Sequence, residues 1–115
     1  MNILQLSDNI QQVARLYMVE DEQELGSFLA KNPELIALLI EAHKQIKKYF
    51  EQEKLVLKVT HDYELPEWEK LGIFIFASVN NLEQAERKLL ELDENWWIDA
   101  SSGVGMKLYI GLEFE

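Results

Sequence analysis

The apolar residues of this chain change period part-way along it, and that change constrains the fold more than any single motif. Up to about residue 52 they recur at three- and four-residue intervals; from Leu55 they alternate, with one further helical interval leading up to Trp96. Both periods in separate blocks predict an α+β fold: N-terminal helices, then strand–strand–helix–strand, a mostly antiparallel sheet and helices on one of its faces. The 115 residues suit a single domain, residues 1–115, large enough for a core without staples. There is no cysteine to supply a disulfide or a thiolate ligand.

In the first half, Asp8 with Gln11 gives a capping-box pattern ahead of Ile10, Val13, Ala14 and Tyr17, which share a helical face. Asp21 with Glu24 repeats it ahead of Leu25, Phe28 and Leu29. Leu16 to Val19 is apolar enough to read as strand; three main strands are the preferred plan, and the alternative is that Asn2 to Leu6 adds a further strand and gives a ferredoxin-like βαββαβ sheet. Asn32-Pro33 predicts the central helix start, with Asn as N-cap, Pro at the first helical position and Glu34 at the positive dipole end. That helix is expected to reach about residue 52, centred on Leu35, Leu39, Ala42, Ile46, Tyr49 and Phe50.

In the second half, Leu55, Leu57 and Val59 alternate in a strand ending at His61. Leu71 to Val79 is a second strand, with Phe74 and Phe76 on one face and Ile73, Ile75 and Val79 on the other, so both faces are expected to be partly covered. Asn80-Asn81 turns into a helix whose stripe is Leu82, Ala85, Leu89, Leu92 and Trp96. Gly103 to Phe114 closes the chain with Val104, Met106, Leu108, Ile110, Leu112 and Phe114 on one face. The crossover rule sets the third strand parallel to the second, most simply with the first strand between them.

Twenty-one acidic against eleven basic residues give a net charge of −10. That opposes binding to a phosphate backbone, so no direct nucleic-acid partner is expected. A basic protein partner, or solubility alone, fits the acidity. The N-terminus lacks a signal-peptide pattern and no apolar run reaches membrane-spanning length, so the expected location is the cytoplasm, with no membrane partner.

The doublet Trp96-Trp97 stands in Asp93-Glu94-Asn95-Trp96-Trp97-Ile98-Asp99. On a regular helix the two rings point apart, making Trp96 the core anchor and Leu90 with Trp97 either the edge of a wide buried face or an exposed ridge for a partner. The connection Asp62-Tyr63-Glu64-Leu65-Pro66-Glu67-Trp68-Glu69-Lys70 sets four carboxylates beside two large aromatics. It is either a recognition loop for a basic segment or a solvated connection whose Trp68 folds back on the sheet edge. Trp97, Leu90 and Trp68 are the candidate apolar anchors, and Glu64, Glu67 and Glu69 the steering acids.

Chemistry has weaker support. His43 lies at the margin of the central helix's stripe and His61 ends a strand on its apolar face, without carboxylates at metal-ligand spacing. Ser101-Ser102-Gly103-Val104-Gly105 lacks the strand–loop–helix order and the lysine of a P-loop, and is expected to be a turn. No catalytic residue, metal or cofactor is assigned. The expected function is a non-enzymatic protein-binding or regulatory module, such as the acidic, antitoxin-like half of a two-gene pair or a DNA mimic. A small enzyme or ligand binder using His43 or His61, and a structural homo-oligomer, are the rivals.

Phe28-Leu29, Asn32-Pro33-Glu34-Leu35, Tyr49-Phe50, the Leu55-to-Asp62 strand, the Glu94-x-Trp96-Trp97 helix end and the closing Gly105-x-Lys107-x-x-Ile110-x-Leu112-Glu113-Phe114 together resemble a small bacterial family found mainly in cyanobacteria. The resemblance spans about residues 25–115 and implies no activity, cofactor or catalytic residue. Where the family pattern has a tight Asp-Pro-Glu turn after the first strand, this chain has the longer Tyr63-to-Lys70 loop.

Overall fold

A computed structural model describes residues 3–61, 63–65, 68–103 and 107–115. Helix α1 spans Ile3–Leu16, β1 Met18–Val19, α2 Glu22–Lys31 and α3 Leu35–Tyr49. Strands β2 (Lys54–Thr60) and β3 (Lys70–Ala77) follow, then α4 (Leu82–Leu92), a π-turn over Asp93–Trp97, the single turn α5 (Ile98–Ala100) and β4 (Leu108–Phe114). The α+β plan is as expected from the change of period.

The sheet order is β1-β2-β3-β4. Strands β2 and β3 are antiparallel in unbroken register from Lys54 opposite Phe76 to Thr60 opposite Lys70. Strand β4 runs parallel to β3, and β1 parallel to β2. Two expectations are corrected here. The sheet is mixed rather than mostly antiparallel, and among the three long strands β3, not β2, stands between the other two. The reason is burial: Leu71, Ile73, Ile75 and Ala77 bury one face of β3 while Phe74 and Phe76 half-bury the other, as a central strand requires.

Leu55, Leu57, Val59, Leu71, Ile73, Ile75, Ala77 and Leu108 face the helices and join one core with Val13, Leu25, Phe28, Leu29, Leu35, Leu39, Ala42, Ile46 and Leu92. No charged side chain among the described residues is buried in it. Tyr17 is the core's polar entrant, and its hydroxyl donates to the Leu39 carbonyl at 2.6 Å.

Several boundaries differ from the sequence reading, each for a local reason. Residues 3–6 begin α1 rather than a strand, so the ferredoxin-like alternative falls, while Met1 and Asn2 lie outside the described residues. Asp8 sits within α1 and caps nothing. Asp21 does cap α2, its Oδ1 accepting from the Glu24 amide at 3.0 Å. Asn32 closes α2 instead of opening α3: its amide and its Nδ2 both donate to the Phe28 carbonyl, and α3 starts only at Leu35 after a turn through Pro33. Helix α3 ends at Tyr49, where the Phe50 amide closes on the Ile46 carbonyl. Strand β3 stops at Ala77, leaving Val79 exposed in a 3-10 turn; Ser101–Gly103 is likewise a 3-10 turn, so β4 begins at Leu108. The expected inward residues Val104 and Met106 lie outside the described residues.

Candidate functional site

The two histidines stand on different elements, each with its own neighbour. His43, on α3, packs edge-on against Tyr17 with ring centroids 5.4 Å apart, and burial together with the Lys47 charge holds its imidazole below the ordinary value. His61 lies beyond the last residue of β2, exposed rather than on the apolar face, with Nε2 3.1 Å from Glu24 Oε1 on α2. Among the described residues no group of three or more histidines and carboxylates converges to hold a metal. A groove of about 370 Å³ between α1 and α2, lined by Leu6, Ile10, Ala14, Glu22, Leu25 and Gly26, contains no histidine.

The tryptophan doublet does not behave as a regular helix predicts. In the π-turn the Ile98 amide reaches back to the Asp93 carbonyl, so one extra residue is accommodated before α5. Trp96 and Trp97 then both pack against the core, their rings 5.6 Å apart and tilted by 40°. Asn95 Nδ2 donates to the Tyr49 hydroxyl at 3.1 Å, tying the turn to the end of α3. Burial, reinforced by neighbouring Glu94, holds the Asp93 carboxyl above the usual range. Trp97 is therefore half-buried beside Trp96, while Leu90 is 56% exposed and Ile98, which the sequence reading passed over, 62%.

The connection between β2 and β3 holds the other candidate anchors. Trp68 does not fold back on the sheet edge: it is 56% exposed, with its amide donating to the Leu65 carbonyl at 2.8 Å. Tyr63 is 99% exposed and Leu65 39%. Glu64 is exposed and Glu69 partly buried; Glu67, with Asp62 and Pro66, lies outside the described residues. Trp68, Glu64 and Glu69 thus share one connection with Tyr63 and Leu65, whereas Leu90 and Trp97 belong to the α4–α5 segment.

The sheet face turned away from the helices was not anticipated as a surface. Val56, Phe74, Phe76 and Tyr109 are half-buried there, and none of them packs against the helix-covered core. Tyr109 meets Phe74 edge-on at 5.6 Å, and Lys54 Nζ lies 4.5 Å from the Phe76 ring centre. Gly72 makes this packing possible, because a Cβ there would lie 2.7 Å from both Phe74 Cε2 and Tyr109 Cζ. The signal available in the sequence was the pair Phe74 and Phe76 on the outward parity of β3.

Compared with protein-family models, curated proteins and solved structures, the chain shows no significant match to any of them.

Proposed function

We propose that this chain is a non-enzymatic binding module that takes a basic protein partner on the β2–β3 connection. The observation that carries the reading is the joint exposure of Tyr63, Leu65 and Trp68, two large aromatics and a leucine within six residues, in a connection that also carries Glu64. Aromatic side chains held open to solvent lose hydration cost only when a partner covers them, and they are the residue types that dominate binding energy at interfaces. The net charge of −10 favours a basic partner and speeds its encounter. An antitoxin-like place in a two-gene pair is one setting that suits this chemistry.

The test is capture from the native host with the full chain as bait, at low and at high salt, beside a Tyr63→Ala/Trp68→Ala double variant. One dominant basic partner should be retained at low salt and released at high salt, since exposed charge pairs are screened beyond about 8–10 Å at physiological ionic strength. The double variant should melt like the wild type and bind at least about 30-fold more weakly, the loss of one interface anchor. Capture that ignores both salt and the double variant would rule out this connection as the binding surface.

A further inference from the structure

We infer that the open face of the sheet is a contact between two copies of this chain, packed face to face about a two-fold axis along β3. The strand registers arrange the outward residues in rows across the sheet. Lys54, Phe76 and Glu113 form one row, Met18, Val56, Phe74 and Gly111 the next, and Lys58, Gly72 and Tyr109 the third. The aromatic column on β3 is central, the β2 column carries lysines, and the β4 column carries Glu113.

This pattern is complementary to itself in one orientation. Rotation about an axis along β3 sets β2 of one copy opposite β4 of the other and keeps every row at its own level. Lys54 then faces Glu113 of the second copy, Lys58 faces the ring of Tyr109, and the two Phe74 rings meet at the axis. An axis across the strands instead sets Lys54 of one copy opposite Lys58 of the other, each already beside a carboxylate of its own chain (Glu115 at 3.9 Å, Glu20 at 3.7 Å), and leaves Glu113 without a lysine opposite it. Lys70 meets its own copy only at the rim, where its side chain reaches water.

Gly111 supplies a second, independent observation. A Cβ at that position would touch only the Phe74 ring, at an ordinary 3.9 Å, so nothing inside the chain demands glycine there. The missing side chain leaves a hollow in the outward face, and the two-fold operation brings Val56 of the second copy opposite it. Packed sheets keep their strands within roughly 30° of one another, which this axis permits.

The contact is small. Three strands about 4.8 Å apart and seven residues long give a footprint on the order of 350 Å² per copy. Stable interfaces bury roughly 800 Å² per partner, so the dimer is expected to form reversibly at micromolar or higher concentrations.

Sedimentation velocity of the full chain from about 5 μM to about 1 mM, a range bracketing such weak association, tests the inference. The wild type should pass from monomer to dimer across that range. Gly111→Val should melt like the wild type and dimerise at least tenfold more weakly, because its side chain fills the hollow. Lys54→Glu should weaken the dimer, and Lys54→Glu with Glu113→Lys should restore it. A chain that stays monomeric throughout, or a dimer indifferent to Gly111→Val, would overturn the inference. If Gly111→Val lowers the melting temperature, the charge exchange decides: a double exchange that folds without restoring the dimer would also overturn it.

Discussion

Replacing Tyr17 by Phe removes one oxygen from the core and leaves the ring where it is, edge-on to His43. The lost group is a buried hydroxyl donating to the Leu39 carbonyl at 2.6 Å. That carbonyl keeps its place in the α3 ladder, so no orphaned acceptor is left and the cost is about 1 kcal/mol, the net worth of a hydrogen bond. For a domain of this size that corresponds to a fall in Tm of roughly 3–6 °C. The pH dependence is sharper. Burial holds the Tyr17 phenol well above its ordinary value, so above about pH 10 the unfolded chain releases this proton and the folded chain keeps it. Fewer protons bound in the unfolded state means that stability falls with rising pH, by about 1.4 kcal/mol per unit. Tyr17→Phe lacks that loss. Urea denaturation at a series of pH values should therefore show the wild type ahead by about 1 kcal/mol near neutrality and overtaken near pH 10.5–11. Because other titrating groups are shared, they cancel in the difference. Parallel stability curves above pH 10 would refute the placement of Tyr17 as a buried, unionised donor.

Gly72→Ala should cost about 1 kcal/mol, because its Cβ must displace the ends of the Phe74 and Tyr109 rings from 2.7 Å. The share due to Tyr109 should vanish in a Tyr109→Ala background, read as a double-mutant cycle in urea, while the share due to Phe74 remains. Asp93→Asn should leave the protein as stable as the wild type at pH 7, or more so. Burial raises the folded-state pKa of Asp93, so its charge is a cost above the ordinary carboxylate range. The advantage of Asn over Asp should shrink as pH falls through that range, which thermal melts from pH 7 to pH 3.5 would follow.

Much of the fold was legible because alternation and helical spacing report burial directly. The inward residues of β2 and β3, Leu55, Leu57, Val59, Leu71, Ile73 and Ile75, are all buried as their parity predicts. What failed were the places where one residue type serves two purposes. Asn32 offers a side chain suited to either end of a helix, and the preceding Phe28 carbonyl, not the following amides, claims it. The sequence left Trp97 open between a buried edge and an exposed ridge, because a 3.6-residue count holds only while the ladder is α-helical and the π-turn inserts a residue just there; the ring packs with Trp96 against the core. Strand order was hidden because β1 contributes only Met18 and Val19, too short for any period to show. In the candidate site, composition marked the β2–β3 connection but gave the same signal for a packed and an exposed Trp68. Only the fold separates the two.

The brevity of β1 has a consequence for how the molecule survives at high concentration. Register pairs only Val56 and Leu57 of β2 with it, so among the described residues the ends of that edge have no neighbouring strand. Such an edge is a template for runaway strand addition between molecules. Lys54 and Lys58 bracket the paired stretch, and Glu20, 3.7 Å from Lys58, places an opposite charge on the same rim. Any strand arriving to extend the sheet must strip water from these ionic groups before its first backbone hydrogen bond forms. The same lysines that dress the outer face thus also charge this edge of the sheet against strand addition.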